Sequence, residues 1–191
     1  MGAVSFGNVK YVGSHCGVSI GVDGPSQMGL EDIAMFRAVP EMKIYYPSDA
    51  VSTEWAVVHS LNYNKGVFIR TNRPSTPVIY PNDEVFEDGK CKVVKEGEAI
   101  TVIGAGVTLN EALEAHTMLE ADGIKITVVD IFCVKPIDGP GIVAAARKTG
   151  NKVLVVEDHY PEGGVGEAVM SACATAGLQI HHLAVREMMN L

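Results

Sequence analysis

The feature that most constrains this chain is an alternation of short apolar, β-branched segments with segments of helical periodicity. The apolar spacing predicts strands at 9–14, 42–47 and 66–70, separated by helices at 30–39 and 48–61. Ser48 is a suitable N-cap for the second helix, because its hydroxyl can accept a bond from a free backbone N–H. Buried-type strands that alternate with helices are typical of a parallel sheet with crossover connections. The first 72 residues are therefore predicted to form part of an α/β domain.

The alternation stops between residues 72 and 97, where three prolines and an acidic cluster mark an extended connector. It then resumes, with predicted strands at 99–104, 124–131, 152–156 and 179–185 and helices at 108–121, 139–149 and 165–175. We therefore predict an α/β chain with a partial parallel-sheet domain at 1–72, a linker at 73–97 and a small domain with a mostly parallel sheet at 98–191.

Composition excludes several classes of function. The formal net charge is −8, whereas sequence-independent binding to nucleic acid needs clustered Lys and Arg. No run of eighteen apolar residues is present, so no membrane-spanning helix is predicted. The four cysteines are scattered without CxxC spacing, and no secretory signal opens the sequence. These observations predict a cytoplasmic protein with reduced thiols and no metal site, and exclude nucleic acid and membrane as partners.

Three turns that follow predicted strands each allow two interpretations. Gly104 and Gly106 suit either a phosphate-binding turn of a dinucleotide-binding domain or a tight strand-to-helix turn, and the missing third glycine favours the latter. The segment VEDHY at 156–160 places ionisable residues where open α/β sheets bind ligands, but polar loops without a ligand also lie there. Arg70 and Arg73, in FIRTNRP, suit either an anion site or a surface salt bridge.

Four motifs in order give the chain a family resemblance. They are SHCGVSIGVDGPSQMGLEDIAMFRAVP at 14–40, FIRTNRP at 68–74, TVIGAGVTLNEAL at 101–113 and VEDHYPEGGVGEAV at 156–169, with YYPSDA at 45–50 joining the first two. Together they resemble the animal-type transketolase family, from late in its pyrimidine-binding domain through its C-terminal domain. The resemblance implies that residues 1–72 are the C-terminal part of a thiamine-diphosphate pyrimidine-binding domain. It also implies that 98–191 is a slightly shortened C-terminal domain.

The resemblance also implies an activity. Transketolases are transferases of the pentose phosphate pathway that move a two-carbon ketol unit between sugar phosphates, with thiamine diphosphate and Mg²⁺ (or Ca²⁺). His15, Asp23 and Arg73 match the family's substrate-binding residues, and Gln27 matches a residue beside the cofactor's reactive end. The match implies that Arg73 and His15 bind the phosphate end of the acceptor sugar phosphate. It also implies that Asp23 binds a hydroxyl of that sugar. Val22 departs from the glutamate that is usual there and so removes one charge next to Asp23.

The family's catalytic glutamate and its diphosphate and metal ligands have no match in these 191 residues. We therefore expect no catalytic residue in this chain, no activity and no bound cofactor when it is alone. The expected partners are sugar phosphates, the N-terminal half of a transketolase and a second subunit in a homodimer. A non-catalytic assembly or interaction module derived from the C-terminal half of the family is the alternative.

Overall fold

The computed structural model describes residues 7–187. The strands are β1 Lys10–Gly13, β2 Lys43–Tyr45, β3 Val67–Arg70, β4 Lys92–Lys95, β5 Thr101–Gly104, β6 Thr127–Asp130, β7 Cys133–Lys135, β8 Lys152–Val156 and β9 Gln179–Leu183. The helices are α1 Asp32–Arg37, α2 Ala50–Leu61, α3 Val107–Ala121, α4 Gly139–Lys148 and α5 Val165–Ala172. No helix within these residues has the length and apolar character needed to cross a membrane.

The strands form two mostly parallel sheets, which confirms the predicted α/β class. The first sheet has the order β1-β3-β2-β7 and the second has the order β4-β6-β5-β8-β9. The strands β7 and β4 each pair antiparallel at one edge of their sheets, and all other neighbours are parallel. The crossover helices therefore connect parallel strands, as the alternation in the sequence indicates.

Two short strands were not predicted. β4 lies inside the segment predicted to be a linker, and β7 begins three residues after β6 ends at Asp130. β7 leaves the second sheet and pairs with β2 of the first. The domain boundaries stay predictions, and their outer ends at 1–6 and 188–191 lie outside the described residues.

Helix α2 is capped by Asp49, and the prediction of Ser48 as its N-cap is wrong. The Asp49 carboxylate accepts a bond from Ser52 N at 2.8 Å, and Ser52 Oγ accepts one from Asp49 N at 3.1 Å. This reciprocal pair satisfies free N–H groups at the helix start. The Ser48 hydroxyl instead donates to Asp130 at 3.1 Å and accepts from Gly106 N at 2.9 Å.

The two sheets share one hydrophobic core. Ile44 and Phe68 of the first sheet belong to the same buried cluster as Ile103, Val129 and Val155 of the second. These side chains are at most 3% exposed, so each removes most of its apolar surface from water. The described parts of the two units are therefore packed against each other through this core.

A polar network at Asp130 joins the connector to both sheets. Asp130 ends β6 and is fully buried, and it accepts a hydrogen bond from Tyr80 Oη at 2.7 Å and one from Ser48 Oγ. The Asp49 carboxylate accepts bonds from the backbone N–H groups of Ile79 and Tyr80. Burial is the main cause that raises the pKa of Asp130 to about 7, with a further contribution from Asp49.

Asp130 is expected to make the stability of the chain depend on pH. Its pKa is about 7 in the folded chain and about 3.9 in an unfolded one, so between these values the folded state binds more protons. Stability from this group is therefore greatest at the acidic end and falls as pH rises, by about 2 kcal/mol between about pH 5 and pH 7. Urea denaturation should show this fall in the difference between the wild type and Asp130→Asn. A difference that stays constant over this range would contradict the assignment.

Candidate functional site

Residues 14–29, in the connection between β1 and α1, present the candidate polar groups and are called here the acceptor loop, after the role that the sequence resemblance predicts for them. Two short 3₁₀ turns, Gly21–Asp23 and Pro25–Gln27, form its tip. At its base, Gly17 N donates to the Gly29 carbonyl at 2.8 Å and Gly29 N donates to the His15 carbonyl at 3.1 Å. The base of the loop is therefore closed by backbone hydrogen bonds, whereas Asp23 and Gln27 at the tip are exposed.

His15 lies at this base with an unusual backbone conformation. Its φ is 65°, in the left-handed region that few residues other than glycine adopt. A hydrogen bond of 2.8 Å joins its Nδ1 to Ser14 Oγ, and the side chain is half-buried. His15 is thus held by the closed base rather than by its intrinsic preference.

Arg73 and Asp23 contact each other beside the loop. β1 and β3 are parallel neighbours that pair Gly13 with Arg70, so the segments after both strands leave the same edge of the sheet. Arg73 reaches the loop from there and forms an ion pair with Asp23, with 48% and 34% of the side chains exposed. An exposed pair of this kind contributes about 0–1 kcal/mol, so an anion with better geometry can displace the aspartate.

Of the four residues predicted for the site, the structure brings only two into contact. Within residues 7–187, neither His15 nor Gln27 forms a hydrogen bond or ion pair with the Arg73–Asp23 pair. Gln27 ends the second 3₁₀ turn with an exposed side chain. The side chain of Val22 lies outside what the structure describes.

Arg70 belongs to a buried charge cluster, and neither an exposed anion site nor a surface salt bridge describes it. Its side chain is 0% exposed. Nε donates to both carboxylate oxygens of Asp32, at 3.1 and 2.9 Å, and Nη1 donates to Asp158 Oδ1 at 2.6 Å. Nη2 donates to the carbonyls of Gly29 at 2.9 Å and of Asp158 at 3.1 Å. The guanidinium is thus shared between the base of the loop, α1 and the segment that follows β8.

Tyr46 and Cys16 complete this cluster in their neutral forms. Tyr46 Oη donates to Asp158 Oδ2 at 2.9 Å, and its ring lies 4.5 Å from the Arg70 guanidinium carbon. Burial raises the pKa of Tyr46 well above its usual value and that of Cys16 to about 12. A thiol with this pKa is a poor nucleophile, so Cys16 is a packing residue.

Glu157, also in the VEDHY segment, binds the start of α5. Its carboxylate accepts hydrogen bonds from Val165 N at 2.6 Å and Gly166 N at 3.0 Å, and a third from His182. Burial raises the pKa of Glu157, although the two backbone bonds and His182 oppose the shift. The contacts of Glu157 and Asp158 are therefore with other parts of the protein, which favours a structural role for this segment over a ligand site.

The turn at Gly104 and Gly106 is a tight strand-to-helix connection. Gly106 has a φ of 56°, and a side chain there would overlap the ring of Tyr46. Its N–H already donates to Ser48, so this amide is not free for a phosphate. The geometry favours the structural interpretation of this motif over a dinucleotide-binding turn.

Asp32 and Asp158 were missed as partners of Arg70. The available signal was an arginine inside a strand whose other residues are apolar, because a buried charge needs a counter-charge. No group of three or more His, Cys, Asp or Glu side chains within residues 7–187 is arranged to hold a metal ion.

Comparisons with known proteins agree with the order of the two units. Residues 1–78 match the family model described as "Transketolase, pyrimidine binding domain", and residues 89–190 match "Transketolase, C-terminal domain". The chain therefore carries parts of two domains found in thiamine-diphosphate-dependent transferases. It belongs to the transketolase family.

The individual relatives that this chain matches are longer than the chain itself. It is 53% identical to transketolase-like protein 1 of Bos taurus and 53% identical to transketolase of Homo sapiens, over 97% of this chain in both cases. It spans only 32% and 30% of those two proteins, about a third of their length.

Solved structures agree with the fold. A structure described as "Split gene transketolase, inactive beta4 tetramer" matches 96% of this chain and 59% of its own, with a TM-score of 0.86 and 34% identity. A transketolase from Campylobacter jejuni matches 94% of this chain and 27% of its own, with a TM-score of 0.72. Its identity is 18%, so it supports the fold alone.

Proposed function

We propose that this chain supplies the acceptor-binding loop of a transketolase, which transfers a two-carbon ketol unit between sugar phosphates in the pentose phosphate pathway. The observation that carries the proposal is the exposed Arg73–Asp23 pair beside the acceptor loop, in a chain of the transketolase family. The cytoplasm, where sugar phosphates and reduced thiols occur together, is the proposed location.

The chemistry of the loop suits a phosphorylated sugar. A guanidinium binds phosphate oxygens through two parallel N–H bonds, and the imidazole of His15 adds a donor on the same loop. When Arg73 turns to a phosphate, Asp23 loses its ion-pair partner and its carboxylate becomes free to accept from a sugar hydroxyl. The existing pair thus keeps both groups beside the loop before the substrate arrives.

The cofactor is proposed to lie beside Gln27. Its exposed amide on the loop tip has both a donor and an acceptor for a polar ligand, so this residue fits the role. Thiamine diphosphate, when bound, supplies the nucleophilic carbon for ketol transfer. The described residues do not fit a Mg²⁺ or Ca²⁺ site, and we propose that the metal is held by other transketolase segments.

We further propose that activity needs those other segments, namely the N-terminal half of a transketolase and a second subunit. The structural relative that is 34% identical is described as inactive in its tetramer, which supports the same state for this chain alone. The catalytic glutamate would then come from the companion segment.

Reconstitution tests this proposal. The chain alone is expected to show no ketol transfer and no binding of thiamine diphosphate with Mg²⁺ by titration calorimetry, whereas the chain combined with the remaining transketolase segments should show both. The companion segments without this chain serve as the control. Turnover or micromolar cofactor binding by the chain alone would contradict the division of roles.

A non-catalytic assembly module is the second candidate. β1 is an edge strand of the first sheet, with Tyr11 40% exposed and Val12 64% exposed, and open edges of this kind favour association. The tetrameric state of the structural relative also favours it. Self-association in analytical ultracentrifugation, together with no activity after reconstitution, would select this alternative.

A further inference from the structure

Asp158 lies two residues after β8 of the second sheet, and its carboxylate reaches the base of the acceptor loop. Besides Arg70 and Tyr46, it contacts Gly17, where it fills the space that a side chain would need. Gly17 has a φ of 67°, so this position is doubly restricted to glycine. The second unit therefore touches the loop directly as well as through Arg70.

The contacts continue from Asp158 to His15 without a gap. Arg70 Nη1 donates to the Asp158 carboxylate, and Arg70 Nη2 donates to the Gly29 carbonyl at 2.9 Å. That carbonyl also accepts from Gly17 N, while Gly29 N donates to the His15 carbonyl. Each contact fixes the next, and the last one helps to hold His15 in its left-handed conformation.

We propose that Asp158 is a positioning residue for the acceptor loop, acting through Arg70 on the backbone of Gly29 and His15. The proposal rests on the proposed function, because it assigns the loop to acceptor binding. When the base loosens, the loop spends less time in the conformation that binds the acceptor, and the apparent affinity falls by that fraction. The reacting groups themselves are not altered.

Hydrogen exchange in this chain tests the positioning by itself. Asp158→Asn keeps the shape of the side chain but removes its charge, and neutral hydrogen bonds are about half as strong as charge-assisted ones. The amides of Gly17 and Gly29 are expected to exchange about five- to tenfold faster, with those of β9 unchanged.

Asp88→Asn is the matched control. Asp88 is a half-buried carboxylate that also pairs with a cation and a tyrosine, Lys43 and Tyr45, but its described contacts do not include the loop. It should leave the two glycine amides unchanged. Equal exchange in the wild type and Asp158→Asn, or acceleration of all amides alike, would overturn the proposal.

Kinetics of the complete enzyme provide the second readout. Asp158→Asn should raise the KM for a phosphorylated acceptor about five- to tenfold, with kcat nearly unchanged. In a His15→Ala background its effect on the KM should be smaller, because one of the groups being positioned is gone. A purely structural role would lower the active fraction equally in both backgrounds, and that result would overturn the proposal.

Arg70→Lys covers the case in which Asp158→Asn does not fold. It keeps the charge but cannot hold Asp158 and Gly29 together, so it should give the same exchange and KM pattern, and failure to do so counts against the proposal. The two proposals can fail separately. If His15→Ala and Arg73→Ala leave the KM unchanged, while the Gly17 and Gly29 amides exchange faster in Asp158→Asn, the proposed function fails and the positioning contact stands.

Discussion

Replacing Arg70 by methionine is expected to lower the free energy of unfolding by about 3–5 kcal/mol. Arg70 is 0% exposed, and its guanidinium is the counter-charge of Asp158, which is 5% exposed, and of Asp32. Methionine fills a similar volume without a charge, so it leaves the buried Asp158 carboxylate and the partly buried Asp32 carboxylate without their shared cation. An unpaired buried charge costs much more than the net contribution of the original pair.

Urea denaturation of the wild type and Arg70→Met measures this difference directly. Arg73→Ala is the matched control, because Arg73 also pairs with an aspartate but is 48% exposed. Its effect on stability should stay within about 1 kcal/mol, as for other exposed pairs. Equal decreases in the free energy of unfolding in the two variants would show that Arg70 does not stabilise the buried cluster.

Much of the fold could be predicted because its signals are local. Helices α3 and α4 and strand β8 begin and end within a residue of their predicted bounds, since apolar spacing and flanking glycines or prolines act over a few neighbours. The choice between Ser48 and Asp49 as N-cap was not local. Both residue types are good caps, and Ser48 is unavailable because Asp130 and Gly106, distant in sequence, bind its hydroxyl.

Long-range pairing explains what the sequence did not predict. β7 is three residues long and follows β6 after only Ile131 and Phe132, without a turn residue such as glycine or proline between the two strands. The local sequence therefore does not indicate that β7 joins another sheet. Arg70 and Asp158 are separated by 88 positions. Composition indicated that Arg70 needs a partner but could not say which acidic residue supplies it.

The candidate site shows the same division. The four site residues came from a resemblance to family motifs, and the parallel pairing of β1 and β3 explains why Arg73 lies near the loop that carries Asp23. The ion pair between these two residues was not predicted, because it depends on how far the loop tip folds back. Its exposure now distinguishes Arg73, a residue available to ligands, from the buried Arg70.

Arg73→Ala in the complete enzyme is expected to raise the KM for phosphorylated acceptors about tenfold to a hundredfold, from the loss of one charge-assisted contact of roughly 1.5–3 kcal/mol. The phosphate is remote from the reacting carbon, so the contact contributes equally to the ground state and the transition state and kcat should change little. Steady-state kinetics with a phosphorylated acceptor measure the effect.

Two controls separate phosphate binding from a structural role of Arg73. An unphosphorylated acceptor aldehyde should show nearly the same KM in the wild type and Arg73→Ala, because it has no phosphate to lose. Asp23→Ala breaks the same ion pair but leaves the guanidinium in place, so it should reduce discrimination between hydroxyl configurations with either acceptor. A different result would contradict phosphate binding: Arg73→Ala raises the KM for both acceptors equally, and Asp23→Ala reproduces that pattern. The pair would then serve to hold the loop in place, because loss of either partner would have the same consequence with and without a phosphate on the acceptor.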